Sequence, residues 1–196
     1  GSGETDLIYR VALTINDLKV GIPAHVDAKS RLCSPALMSF VIGENDMVAQ
    51  FNTSSVGSRN NWWQTVQIFD WTALPELVTL HEEKPNPQLF EVLYEVPEIS
   101  DLLNVHMHCN CPAYLYYGSQ YQLTQYDTAL YPESIFPSVR DPYLQNTVCK
   151  HIAAVLNEFF VPGVKVTKEP EAEPAPVPIP QAPAQELSPP SDQSNP

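Results

Sequence analysis

Basic residues are scarce in this chain. Ten lysines and arginines stand against twenty-three carboxylates in 196 residues, a formal net charge of −13. The deficit is not confined to one end. From residue 167 onward, Glu169, Glu171, Glu173, Glu186 and Asp192 face Lys168 alone, which leaves the first 166 residues at −9. A protein that holds nucleic acid by its phosphates needs a basic stripe, and an acidic body repels that partner at long range. Long apolar runs are also missing. None approaches the roughly 18 to 20 residues that a membrane helix needs, so a soluble protein with no membrane partner is expected. Nor do the carboxylates Asp46, Asp70, Glu82, Glu83, Glu91 and Glu95 come with a matching histidine or serine pattern. They read as solvated positions and not as acid–base machinery. Cysteines number only four, and Cys33 has no cysteine near it in sequence. It is expected to be a buried or loop thiol.

The other three cysteines organise the chain. Cys109 and Cys111 form C-N-C, Cys149 and His151 form C-K-H, and thirty-seven residues separate the two pairs. Three thiolates and an imidazole are the donors of a closed tetrahedral zinc site, which leaves no position for a substrate or for water. Two donors one residue apart reach one ion only where the backbone turns, at a strand end or a helix start. Leu103, Val105 and Met107 alternate with Asn104, His106 and His108, a period of two that predicts a strand delivering Cys109. Pro112 suits a first helical turn, and residues 113–125 are expected to be helical. Thr147 is the expected N-cap of a helix over 149–160, where Ile152, Val155, Leu156, Phe159 and Phe160 recur at helical spacing. His106 and His108 compete with His151 for the fourth place, and three thiols can also be no more than small core hydrophobes. A Cys109–Cys111 disulfide is disfavoured by the geometry that a disulfide requires.

These residues carry a resemblance. C-x-C followed at a distance by C-x-H, with a strand before and a helix after, resembles the SWIM-type zinc finger. More closely, H-C-N-C-P-A-Y-L-Y-Y at 108–117, R-D-P-Y-L at 140–144 and T-V-C-K-H-I-A-A-V-L at 147–156 are similar to a pattern in tailed-bacteriophage virion structural proteins. The resemblance covers about residues 96–160. It implies Cys109, Cys111, Cys149 and His151 as ligands of a structural Zn2+, no enzymatic activity, and a place in a virion assembled in the host cytoplasm. The chain departs from that pattern in a longer spacer and in Pro112-Ala113, which stand where an aspartate follows the second cysteine.

The first half reads as mostly strand. Candidates are residues 8–15, 37–42, 47–51, 63–69 and 89–96, the last from the alternation of Phe90, Val92, Tyr94 and Val96. Gly43-Glu44-Asn45-Asp46 marks a hairpin between the second and third. Residues 71–80 are expected to hold a short helix or turn, and Trp62, Trp63 and Trp71 to serve the core or a contact. Asn52-Thr53-Ser54 matches the glycosylation acceptor motif, but free thiols for zinc argue for a reducing compartment. The expected fold is therefore α+β: antiparallel strands over 6–97, then a strand–helix–insert–helix zinc module over 98–166. Gly1-Ser2-Gly3, with no initiator methionine, reads as a tag scar or processing product within a flexible start at 1–5.

Seven of nine tyrosines lie between the two ligand pairs, from Tyr114 to Tyr143. Tyrosine combines a large apolar area with a polar tip, which suits protein interfaces. A platform for stacking single-stranded nucleic acid wants cations interleaved, and between Pro112 and Val148 there is only Arg140. Residues 168–196 hold nine of the twenty prolines and read as a disordered, extended tail over 167–196. The insert and tail are thus expected to contact other virion proteins in a multi-subunit assembly. The competing reading is a zinc-dependent module that recognises nucleic acid or a regulatory protein.

Overall fold

The computed structural model of the protein describes residues 12–161. The expected tail, the flexible start and residues 8–11 of the first expected strand lie outside the described residues. Within them the fold is α+β, built on a four-stranded antiparallel sheet in the order β1 (Cys33–Ile42), β2 (Asp46–Ser55), β3 (Trp62–Phe69), β4 (Val105–Cys109). The hairpin expected at Gly43 joins β1 to β2, where Gly43 N–H donates to the Asp46 carbonyl at 2.8 Å. Pro35 sits in β1, which pairs with β2 alone. An edge strand is where a residue without an N–H does least damage to a ladder. The other edge, β4, is closed differently. Met107 N–H donates to the Thr128 carbonyl at 2.7 Å and Leu130 N–H to the Met107 carbonyl at 2.9 Å, so the insert pairs with a strand that would otherwise expose its backbone.

One face of the sheet is the core. Met47, Ala49 and Phe51 of β2, Val66 and Ile68 of β3, and Val105 and Met107 of β4 are buried, as alternation along a half-covered sheet requires. Helix α8 (Lys150–Phe159) supplies Ile152, Val155 and Leu156 to the same core. Phe51 meets Phe159 with ring centroids 4.9 Å apart. The end of α8 is tied down by Lys19 Nζ, which donates to the Phe160 carbonyl at 2.9 Å. The partner lysine belongs to α1 (Ile15–Val20), which is followed by α2 (Ala24–Ser30).

One expected strand gives way to a helix at its last residue, and another is a helix throughout most of its length. Of the strand expected over 8–15, the described residues Leu13 and Thr14 lie beside β4, Val105 N–H donating to the Leu13 carbonyl at 3.0 Å and Thr14 bridging to Asn104, and Thr14 then caps α1, its Oγ1 accepting from Asp17 N–H at 3.2 Å while Asp17 accepts from Thr14 N–H. That reciprocal pair is a capping box, and it starts a helix at Ile15, the last residue of the expected strand. The second case is α4 (Leu89–Glu95). Its buried residues, with Val96 beyond its end, are Leu89, Val92, Leu93 and Val96, spaced as one face of a helix. The alternating aromatics Phe90 and Tyr94 lie off that face and gave the wrong period. Residues 71–80, expected as helix or turn, form a 3-10 turn, Trp71–Ala73, and α3 (Pro75–Glu83). After α5 (Ile99–Leu102) the chain enters β4, which pairs with β3 through Gln64 and Cys109 at one end and Ile68 and Val105 at the other. The sheet therefore runs across the expected boundary between residues 97 and 98.

The expected helix over 113–125 is two, α6 (Pro112–Tyr116) and α7 (Ser119–Gln125). The break is at Gly118, whose φ is +101°, a conformation that favours glycine. A Cβ there would also lie 2.3 Å from Asp141 Oδ2. Asp141 is itself buried and accepts from Gln145 N–H at 2.8 Å and Asn146 N–H at 3.1 Å. Glycine thus lets the outgoing arm of the insert lie against the carboxylate that folds its returning arm.

Candidate metal centre

Three backbone endings meet at one end of the sheet. Cys109 is the last residue of β4 and faces the core, because the alternation that buries Val105 and Met107 buries it too. Asn110 then turns the chain. Its N–H donates to the Trp63 carbonyl at 3.2 Å, and its Oδ1 accepts from Trp63 N–H at 2.8 Å. Cys111 is the N-cap of α6, its Sγ accepting from Tyr114 N–H at 3.4 Å. Cys149 is the N-cap of α8 in the same way, accepting from Ile152 N–H at 3.5 Å. The expected cap, Thr147, is displaced by two residues, because the sulfur takes the place that a hydroxyl usually fills. His151 follows in the first turn of α8.

Cys109, Cys111, Cys149 and His151 are all buried, and their donor atoms lie within 4.8 Å of one another. A tetrahedral ion bonded to sulfur at about 2.3 Å holds its donors about 3.8 Å apart. Cys109 Sγ and His151 Nδ1 are 4.0 Å apart. All four cysteines are free thiols. The set can hold a metal ion, and the chemistry of the donors fits one: three buried sulfurs with an imidazole form a costly polar cluster unless a cation joins them.

The thiols already behave as a unit. Burial, together with hydrogen bonding to Cys111, pushes Cys109 up to about 12. Burial first, and then its two sulfur neighbours, pushes Cys149 well above the usual thiol range. Cys111 is lowered, because Cys109 and then Cys149 donate S–H bonds to it. A cation bound here would displace the protons that burial holds on Cys109 and Cys149.

The rival histidines face away from this cluster. His106 and His108 lie on the opposite side of β4, as the half-buried positions between Val105, Met107 and Cys109. His106 packs edge-on to Phe69 at 4.6 Å, and His108 edge-on to Tyr114 at 5.3 Å and Tyr131 at 4.8 Å. Burial lowers the His108 pKa. Trp71 is buried and donates from Nε1 to the Gly43 carbonyl at 2.9 Å, whereas Trp63 is exposed.

Sequence reasoning missed the residues that surround the four donors. Gln64 Nε2 lies 3.4 Å from Cys109 Sγ and donates to it. Thr53, inside the glycosylation-like triplet, is buried and donates from Oγ1 to Gln64 Oε1 at 2.5 Å. Ser55 Oγ is 3.3 Å from His151 Nε2 and 3.6 Å from the sulfur of Cys33, now the first residue of β1. One signal was available. Thr53 and Ser55 continue the inward positions of Met47, Ala49 and Phe51 with polar side chains, and a polar residue at a core position calls for a partner.

Between Cys111 and Cys149 the insert exposes aromatic surface. Tyr116, Tyr131 and Tyr143 are 62%, 60% and 83% exposed, beside Ile135 and Phe136. Tyr121 is half-buried, and Tyr114 is buried with its hydroxyl donating to the Met107 carbonyl at 3.1 Å. Arg140, the insert's single cation, lies 4.6 Å over the Tyr117 ring. No helix of the described residues is long and apolar enough to cross a membrane. No protein-family model, curated protein or solved structure matches this chain.

Proposed function

We propose that this chain is a non-enzymatic structural component of a tailed-phage virion. In this reading Cys109, Cys111, Cys149 and His151 hold one structural Zn2+, and the ion fixes both roots of the tyrosine-rich insert so that it presents a protein–protein surface. The observation that carries the reading is placement: four buried donors converge where the insert leaves the sheet and where it returns to α8. Soft thiolates with one imidazole suit zinc in a closed tetrahedral shell. With four protein donors the ion's contribution is to folding, as in other small metal-stapled modules. Exposed Tyr116, Tyr131 and Tyr143 offer apolar area with polar tips, the composition of contact surfaces. The virion setting comes from the similarity of the 108–117, 140–144 and 147–156 segments to phage structural proteins, and the proline-rich tail adds a second contact with neighbouring subunits.

The alternative, a zinc-dependent module that binds nucleic acid or a regulatory protein, has less support, because the insert's one cation is stacked on Tyr117. The test is photo-cross-linking from position 143 in purified particles. Cross-links to another virion protein that vanish after chelation are expected. Absence of the chain from purified particles would contradict the proposal, and so would clear retardation of short single- or double-stranded DNA at low salt.

A further inference from the structure

The contacts of His151 and Cys109 differ from those of the other two donors. Cys111 and Cys149 take their N–H bonds from backbone in their own helices, which any helix start provides. Cys109 and His151 are held by side chains from β2 and β3, far away in sequence. Gln64 reaches Cys109 and Ser55 reaches His151. The Gln64 amide cannot be turned the other way. Its Nε2 faces the Trp62 carbonyl at 2.9 Å, and a carbonyl only accepts, so the NH2 end must point at it and, with it, at the sulfur. Thr53 occupies the remaining oxygen. All three side chains are buried, with Thr53 and Gln64 almost fully enclosed, so an unneeded polar network here would be costly.

We infer that Gln64 and Ser55 are positioning residues of the metal centre, and that His151 binds the ion through Nδ1 with its Nε2–H donated to Ser55. This rests on the metal site proposed above and specifies how it is built. The geometry assigns the ring atoms: Nδ1 is the nitrogen facing Cys109 Sγ, at 4.0 Å, while Nε2 faces the Ser55 hydroxyl at 3.3 Å. A ligating imidazole donates its other N–H to a fixed acceptor, which sets tautomer and ring orientation. Ser55 Oγ can accept that hydrogen bond while its own O–H donates to the Cys33 sulfur, 3.6 Å away. Gln64 does the equivalent for Cys109. Three thiolates around a divalent cation leave an excess negative charge in a buried place, and an N–H aimed at sulfur offsets it. Sheet strands that bear none of the four ligands therefore set the affinity of the site.

The first test uses the unaltered full chain, labelled with 15N histidine and loaded with zinc. Long-range proton–nitrogen correlation is expected to show His151 metal-bound at Nδ1 and protonated at Nε2, and binding through Nε2 would overturn the inference. The second compares zinc affinity by chelator competition and the visible spectrum after cobalt(II) loading. Gln64→Leu and Ser55→Ala are each expected to weaken binding about 10- to 100-fold, with Ser55→Thr restoring it. Gln64→Leu should also move the sulfur-to-cobalt charge-transfer band to lower energy, because a thiolate without its hydrogen bond gives up its electron more readily. Loss of general strand stability would not move that band. Gln67→Leu, which removes the amide that holds Asp46 on the other face of β3, should leave affinity unchanged. Wild-type affinity and spectrum in Gln64→Leu and Ser55→Ala would refute the positioning role while leaving the site standing. A wild-type chain that takes up no zinc and no cobalt would refute both.

Discussion

The two ends of the sheet's inner face are built on opposite principles. At one end Met47, Ala49, Val66, Ile68 and Val105 share an apolar core with Leu156 and Phe160 of the C-terminal helix region, and cohesion comes from apolar burial and close packing. At the other end the same strands continue inward with Thr53, Ser55 and Gln64 and meet three sulfurs and an imidazole. The first end tolerates modest changes of shape at modest cost. The second is all-or-nothing, because a buried polar group without a partner costs more than an apolar one in its place. The lesson is that one helix, α8, is anchored twice: by metal donors at its start and by phenylalanines at its end.

The comparison can be broken most severely from the polar end. Cys149→Ala, or a strong chelator acting on the wild-type chain, should remove the whole metal contribution, which in zinc-finger peptides reaches about 10 kcal/mol or more. Hydrogen exchange is expected to show lost protection at both insert roots, Cys109–Cys111 and the first turn of α8, with protection of β2 around Met47 reduced least. At the apolar end, Met47→Ala should cost about 2 to 5 kcal/mol in denaturant unfolding of the zinc-loaded chain, yet leave zinc affinity within a factor of two or so. Equal loss of affinity in Met47→Ala and Ser55→Ala would erase the distinction between the two ends. A smaller effect is expected at the insert's hinge. Gly118→Ala puts a side chain at φ +101° against Asp141 and should destabilise by about 1 to 3 kcal/mol.

Proton counting sharpens the same contrast. Cys109 and Cys149 are pushed up and hold their protons at neutral pH, whereas Cys111 is lowered and gives up its proton more readily. Metal loading must displace the two held protons, so binding weakens as pH falls. Calorimetric titration with zinc in two buffers of different ionisation enthalpy should report release of about two protons per ion near neutrality. Release of none would mean that the thiols are not the donors. The smallest effect belongs to the surface: Tyr143→Ser, at an 83% exposed position, should change stability by less than about 0.5 kcal/mol.

How much was legible in the sequence follows the same division. The four donors were readable because C-x-C and C-x-H spacings are short, local and chemically unusual, and the structure brings all four together. The antiparallel hairpin, β3 and β4 were readable from alternation bounded by turn residues. Helix α4 was not, because Phe90 and Tyr94 gave a period of two, while the period that mattered was carried by Leu89, Val92, Leu93 and Val96. The split at Gly118 depends on Asp141, a contact between distant residues that no local pattern announces. Gln64 and Ser55 were invisible for a related reason. Their role comes from pairing Gln64 with Cys109 across β3 and β4, and from the contact of Ser55 at the end of β2 with His151 of α8, and a tertiary arrangement of that kind leaves only a trace of polarity on an inward face.

The most direct test of the central claim is the metal itself. Elemental analysis of the purified full chain, followed by X-ray absorption at the zinc edge, should find about one zinc per chain with three sulfur neighbours near 2.3 Å and one nitrogen near 2.0 Å. A chain purified without chelators that carries no zinc and takes none up, or one whose zinc is ringed by oxygen, would contradict it.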